Sequence, residues 1–369
     1  MNAARILITG ANGYLGTRIA RRLLDQTEAK LLLWIHAADE KALAEKRVRL
    51  ESGLAGPSER VRVFGGDLCA ETPFASLDGE NVTHVVHSAA VTRFNVEQEL
   101  ARAVNREGTR KLLEFARRCA KLEGFDFLST VYSSGLRTGR IPEEPASDAC
   151  GFANHYESSK WEAEGLVRER CPVPWRIVRV CTIIADDDTG AVAQQNAFHN
   201  TLKLLYYGLL SLVPGDPGTP LYFVTAEYVA GAMLRLLERR PERAVYHASP
   251  DVAGAIGLGE LIELAFERFN QAEDFRRRRV LAPLFTDLEA FELLASGVGS
   301  GIGGSIVGEA VSSVAPFARQ MFVSKEIENA RFLEASGSPP PGDSHALIRA
   351  VCENLVSTRW GRKAVHAHA

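Results

Sequence analysis

Apolar positions along the first half of the chain follow two rhythms. Continuous apolar runs occur at "RILITG" (5–10), "KLLLWIH" (30–36), "RVRVFGGD" (60–67), "HVVHSAA" (84–90), "GFDFLST" (124–130), "WRIVRVCTI" (175–183) and "AVYHAS" (244–249). Their length suits strands buried on both faces. Between them lie segments with apolar residues three and four apart: "GTRIARRLLDQ" (16–26), a charged stretch near 39–51, and "VEQELARAVNREGTRKLLEFARRCA" (96–120). That is the spacing of an amphipathic helix. Strands separated by helices need crossover connections, so the pattern predicts an α/β fold. The sheet is expected to be doubly wound, parallel, Rossmann-type and about seven strands wide. Such a sheet binds its ligand at the carboxyl ends of its strands.

After residue 185 the alternation loosens. "VPGDPGTP" (213–220) is a turn-rich break, and 250–369 reads as helices and loops. Residues 1–185, with a strand returning near 244–249, are expected to form the sheet domain. Residues 186–243 and 250–369 are expected to form a smaller, mostly helical subdomain on the substrate side. Within it "LLASGVGSGIGGSIVG" (293–308) carries no charge and is rich in glycine, which weakens a helix. It reads as a loop.

Composition narrows the class. An apolar fraction of 46% and a charged fraction of 24% are ordinary for a soluble globular protein. A net charge of −3 argues against a nucleic-acid binder driven by phosphate neutralisation. Cys69, Cys119, Cys150, Cys171, Cys181 and Cys352 are scattered, with no Cys-x-x-Cys pair and no histidine cluster. That favours reduced thiols in the cytoplasm over disulfides or a metal site. The N-terminus enters a strand without a signal-peptide pattern, and no apolar stretch is long enough for a transmembrane segment.

Candidate chemistry begins at "ILITGANGYLGTRIARRLL", where Gly10, Gly13 and Gly16 stand between a strand and a helix. Glycines permit the tight turn, and the helix N-terminus offers amides to a pyrophosphate. Asn12, Tyr14 and Leu15 complete that loop. "GSGIGG" (299–304) also fits G-x-G-x-x-G, but no strand precedes it, so it is a decoy. At the end of the second strand, where an NAD site usually offers an acid, stands His36. Asp39 and Glu40 come slightly later, and Lys46, Arg47 and Arg49 follow. His36 and Arg47 are therefore read as cofactor-side residues, with NADP (as NADPH) favoured over NAD. Asp67 and Leu68 end the third strand and are expected at an adenine. Ser88, Ala89 and Ala90 end the fourth, where small residues admit a cofactor. "FLSTVYSS" (127–134) brings hydroxyls to the same edge, and "YESSK" puts Tyr156 and Lys160 on one helical face.

These motifs, in this order, resemble the extended branch of the short-chain dehydrogenases/reductases. "HSAAVTRF", "VNREGTRKLLEFAR", "FLSTVY" followed by "GRIPEE", and "YESSKWEAEGLV" are similar to stretches of its thioester reductase and fatty acyl-CoA reductase group, with a male-sterility-type NAD-binding domain. The resemblance implies that Thr130 orients the substrate oxygen, with Ser129, Ser133 and Ser134 as rivals, and that Tyr156 donates a proton. Lys160 would hold the nicotinamide ribose and lower the Tyr156 pKa, since an ammonium stabilises a phenolate. Asn105 would brace the cofactor site and Val180 would line the nicotinamide. Two positions depart from the group: Val180 replaces a proline after Arg179, and His36 stands where arginine is frequent.

The implied reaction is NADPH-dependent reduction of an acyl thioester, on coenzyme A or an acyl-carrier protein, to an aldehyde, with a second hydride giving the alcohol. Alternatives are an extended-type ketoreductase or sugar-nucleotide epimerase/dehydratase, and a non-catalytic NAD(P)-binding regulator. The intact Tyr-x-x-x-Lys speaks against the last. "DFRRRRVLAPLF" (274–285) places four arginines where CoA phosphates or an acidic carrier would meet them; a solvated helix face is the plainer reading.

Overall fold

The computed structural model describes residues 4–54, 59–79, 81–301 and 311–360. Seven parallel strands form the central sheet: β1 (Arg5–Thr9), β2 (Lys30–His36), β3 (Val61–Gly66), β4 (His84–His87), β5 (Gly124–Thr130), β6 (Trp175–Val180) and β7 (Ala244–Ala248). Their order is β7-β6-β5-β4-β1-β2-β3. Strand order therefore reverses beside β1, which opens a crevice between the ends of β1 and β4. Register aligns Thr9 with His87 and Thr130 with Val180, so these strand ends reach one edge together. The strand interiors are apolar for the expected reason: helices cover both faces, and Leu31, Leu33 and Ile35 are fully buried.

The helices of this half are α1 (Tyr14–Gln26), α2 (Glu40–Gly53), α3 (Gln98–Ala101), α4 (Gly108–Ala116) and α5 (His155–Arg170). Between α3 and α4 the chain is π-helical, Arg102–Glu107, so the amphipathic stretch expected over 96–120 is not a uniform helix. Such a bulge re-aims a side chain, and here it carries the buried Asn105.

One expected strand is divided. The run 175–183 stays in the main sheet only to Val180, while Thr182–Ala185 pairs with Phe223–Thr225. The cause is a change of partner. Cys181 N donates to the carbonyl of Ala248 at the end of β7, and Thr182 N then donates to Tyr222 O.

The second half builds its own apolar core. Further helices among the described residues are α6 (Ala197–Tyr206), α7 (Ala226–Glu238), α8 (Leu258–Phe269), α9 (Glu273–Arg278), α10 (Leu288–Gly301), α11 (Ala330–Ser336) and α12 (Ser344–Ser357). Leu202, Leu205, Ile262, Phe269, Ile348 and Leu355 pack together, whereas α7 joins the core of the main sheet through Val229 and Met233. The start of the glycine-rich stretch is helical in α10; residues 302–308, including the decoy's Gly304, lie outside the described residues. The chain then returns to the sheet domain, and Lys325–Ile327 pairs with Gly139–Ile141 in parallel. No helix among the described residues is long and apolar enough to cross a membrane.

Candidate active site

At the switch point the glycine loop is shaped by close approach. Gly10 has φ +69°, and a Cβ there would lie 2.7 Å from Ala89 Cα. A Cβ on Gly16 would lie 2.2 Å from the Gly10 carbonyl oxygen. Both positions therefore exclude a side chain. Gly13 is the N-cap of α1 and no side chain caps that helix. The first-turn amides of Tyr14, Leu15 and Gly16 thus have no acceptor from within the helix. An uncapped helix end beside a cradle that a methyl would fill suits a pyrophosphate. Asn12 is exposed on the loop, and the Tyr14 hydroxyl donates to Asp186, as does Arg18.

Beside the cradle, Ser88, Ala89 and Ala90 are half-buried and follow His87. The His87 ring is fully enclosed, bonded to Thr9 Oγ1 at 2.6 Å and Thr109 Oγ1 at 2.9 Å. Burial pushes its pKa down to about 3, so it stays neutral. Asn105 receives Val91 N at 2.9 Å and donates to Val91 O and Ser159 Oγ, tying the β4 exit to α5.

Placement at the adenosine end is uneven. His36 is exposed, and its carbonyl oxygen accepts from Lys46 Nζ at 2.7 Å. Arg47 instead bonds Val63 O at 3.1 Å, within a groove of about 510 Å³ between α2 and the edge strand β3. The structure therefore brings Lys46, not Arg47, to His36. Asp67 accepts from Cys69 N, whereas Leu68 is buried against Gly108 and offers its side chain to the core.

Thr130 ends β5, and its side chain meets the hydroxyl of Tyr156, two residues after the α5 N-cap Asn154. Burial pushes the Tyr156 phenol well above its ordinary pKa, and the Thr130 bond only partly offsets this. Lys160 lies one turn on, almost fully buried, and donates to Leu128 O at 2.8 Å with its ammonium 3.9 Å from the Phe127 ring centre. Burial lowers its pKa to about 7, against an upward pull from Glu164. The downward pull of Lys160 on Tyr156 is not part of this arrangement, because the ammonium faces the β5 backbone. Val180 closes the strand beside Thr130.

Around this pair stand residues the sequence reading did not single out. Phe94 meets Tyr156 and Tyr132 edge-on at 5.8 and 6.2 Å, and Phe317 meets Phe94 at 5.8 Å. Tyr132 OH shares a hydrogen bond with Thr182 Oγ1. Beneath Lys160, Glu164 receives Arg179, Ser129 and Ser133, which holds its carboxyl below the usual range. Ser129 and Ser133 are thereby bonded to Glu164, and the third rival, Ser134, donates its hydroxyl to Val131 O. Phe94 and Tyr132 sit inside "HSAAVTRF" and "FLSTVY", so those stretches held a signal. Phe317 had none. A cavity of about 780 Å³, lined by Arg137, Glu143, Glu326 and Arg331 among others, includes none of these residues. No cluster able to hold a metal occurs among the described residues.

A strand-end threonine against a helix-borne tyrosine, beside a glycine cradle at the switch of a 3-2-1-4-5 sheet, defines an extended short-chain dehydrogenase/reductase. Within that class the chain belongs to the family described as "Male sterility protein", an NAD-binding domain whose model matches residues 8–233. It is 27% identical over 265 residues to an isonitrile lipopeptide synthase of Streptomyces coeruleorubidus, covering 67% of this chain and 18% of that protein. It is 26% identical over 309 residues to a carboxylic acid reductase of Mycobacterium tuberculosis, covering 70% of this chain and 25% of that one. The chain thus spans a quarter or less of these two relatives' length. Its fold matches the terminal R domain of the myxalamid PKS-NRPS pathway with a TM-score of 0.75 and 22% identity, over 98% of this chain and 92% of that one.

Proposed function

We propose that the protein uses NADPH to reduce an acyl thioester, on coenzyme A or a carrier protein, to the aldehyde. The observation that carries this reading is the meeting of Thr130 and Tyr156 at the strand edge next to the glycine cradle. The kinship with a carboxylic acid reductase supports the substrate class. Bound nicotinamide supplies the hydride. Thr130 and Tyr156 donate hydrogen bonds to the carbonyl oxygen as negative charge develops on it. Tyr156 then gives up its proton to that oxygen; burial makes the phenol a weaker acid, and the Thr130 hydroxyl partly offsets this. The resulting hemithioacetal collapses with cleavage of its C–S bond, releasing aldehyde and free thiol. A second hydride and proton would give the alcohol.

Preference for NADPH rests on the β2 end. Asp39 caps α2 by accepting from Ala42 N, so the nearest acid is occupied, while Lys46 brings an ammonium to the His36 carbonyl. Arg276 and Arg279 are exposed in the arginine run, whereas Arg277 pairs with Glu273 and Arg278 stacks over Tyr206. The first two are candidates for a phosphate of coenzyme A or of a carrier arm. Six free cysteines fit a reducing cytoplasm. The test is to incubate the protein and NADPH with acyl-CoAs of graded length, simple ketones and nucleotide sugars. NADPH loss matched by free-thiol release is expected; turnover of ketones or nucleotide sugars alone would overturn the reading.

A further inference from the structure

Thr130 and Tyr156 come from two elements, and a third segment grips both. Tyr156 lies in the first turn of α5, next to Glu157. Glu157 is fully buried, and its carboxylate accepts from Ala153 N at 3.0 Å, Asn154 Nδ2 at 3.0 Å and Gln320 Nε2 at 2.9 Å. Thr130 is followed by a single 3-10 turn, Val131–Ser134, and then Gly135. Gly135 has φ +62°, and a Cβ there would lie 2.1 Å from the Gly151 carbonyl oxygen. Its carbonyl oxygen accepts from Gln320 Nε2 at 3.2 Å and from Lys325 Nζ at 2.5 Å.

One amide group, Gln320 Nε2, therefore bonds the helix that carries Tyr156 and the turn that follows Thr130. Gln320 is 4% exposed, so water competes little for either bond. Two further contacts run from the same segment to the same place. Asn154, the N-cap of α5, donates to Pro316 O at 3.1 Å, and Phe317 packs on Phe94, which packs on Tyr156. Lys325 sits in the short strand that pairs with Gly139–Ile141, which anchors the far end of the segment.

We infer that Gln320 is a positioning residue for the reaction: by bridging Glu157 and Gly135 it sets the separation of the Tyr156 and Thr130 hydroxyls. This rests on the reading of those two as the reacting pair. A carbonyl oxygen must lie within hydrogen-bond reach of both hydroxyls at once, and displacement by about 1 Å at such a site costs on the order of 100-fold in rate. Neither Gln320 nor its two acceptors, Glu157 and Gly135, belongs to the glycine cradle, so the bridge bears on kcat and not on cofactor affinity.

The test uses Gln320→Met, which keeps length and removes the donor, and Gln320→Asn, which keeps the amide but shortens its reach. Glu157→Leu and the double variant Glu157→Leu/Gln320→Met complete a cycle, with Tyr156→Phe alongside. Turnover is measured with the acyl-CoA that the wild type reduces fastest, NADPH affinity by nicotinamide fluorescence, and folding by thermal melt. The expected result is a kcat loss of about 10- to 100-fold in both Gln320 variants, with KM and NADPH affinity within about threefold of wild type. The double variant should be no slower than the slower single, because both remove one bridge. A kcat within about twofold of wild type in a folded Gln320 variant, or losses that multiply in the double, would overturn the inference. If Tyr156→Phe stays active, the reading of the reacting pair falls and this inference with it; if only Tyr156→Phe is inactive, the inference alone falls.

Discussion

Lys160 is held at a cost to stability, and replacing it should make the protein harder to unfold. Its side chain is 3% exposed. Its ammonium has one carbonyl, Leu128 O, and the face of Phe127 for company. The nearest carboxylate, Glu164, is already engaged by Arg179, Ser129 and Ser133. Burial accordingly lowers the pKa from 10.5 to about 7. That gap of about 3.5 pH units corresponds to about 5 kcal/mol, a ceiling on what the buried charge costs.

The sign follows from proton counting. Between about pH 7 and 10.5 the folded protein binds fewer protons at this site than the unfolded chain does. The Lys160 contribution to stability is therefore fully present above the upper value and is lost as pH falls towards the lower one. Lys160→Met keeps an apolar stem of similar length and removes the charge. It also forfeits the bond to Leu128 O and the contact with Phe127, about 1 kcal/mol each. A net gain of about 1–3 kcal/mol below neutrality is expected, or about 2–6 °C in Tm for the cofactor-free protein. Thermal unfolding of wild type and variant near pH 6 and near pH 9 checks it. The variant should melt higher near pH 6, and the gap should narrow near pH 9, while turnover is lost. A variant that melts lower near pH 6, or by a pH-independent margin, would refute the reasoning.

Three further outcomes follow from the same geometry. Tyr156→Phe should lower kcat by about 100-fold or more while NADPH affinity, read by fluorescence, changes little; a change confined to affinity would move the proton donor elsewhere. Lys46→Ala should raise the KM for NADPH several-fold and leave that for NADH alone, whereas Arg47→Ala should change neither, because Arg47 is bonded to Val63 O. Equal effects of the two substitutions would remove Lys46 from the 2′-phosphate. Arg179→Met strands the Glu164 carboxylate, buried at 2% exposure, and should cost about 3–5 kcal/mol in urea unfolding. A loss below about 1 kcal/mol would mean that the two serines suffice to hold that charge.

Legibility in the sequence tracks how local each signal is. All seven strands of the sheet were readable, because a strand buried on both faces must be a short apolar run whatever it pairs with. The divided run at 175–183 misled for the converse reason: Val180 and Thr182 belong to different sheets, and only their distant partners, Ala248 and Tyr222, show it. Gly16 announced itself through spacing, since its close approach is to the Gly10 carbonyl within the same loop, whereas the contact that excludes a side chain at Gly10 is with the distant Ala89. Arg47 looked like a cofactor ligand by composition, yet one step along α2, about 100° of rotation, separates a side chain that reaches the β2 end from one that reaches the edge strand. Lys46 holds the useful register.

The helix that carries Tyr156 and Lys160 shows how far that limit extends. Tyr156 and Lys160 are four residues apart, so their common face follows from helical periodicity alone. Their environments diverge all the same. Tyr156 faces Thr130 under Phe94, while Lys160 turns to the backbone of Leu128 above the pair of Glu164 and Arg179. Neither difference has a local cause: Arg179 lies 15 residues beyond Glu164, and Gln320 lies 163 beyond Glu157. The spacing of Tyr156 and Lys160 is thus a property of one helix, but the positions of their reactive atoms belong to the sheet edge and to the segment that returns after α10. On the inference drawn for Gln320, a substitution in that returning segment should change turnover and leave NADPH affinity near that of the wild type.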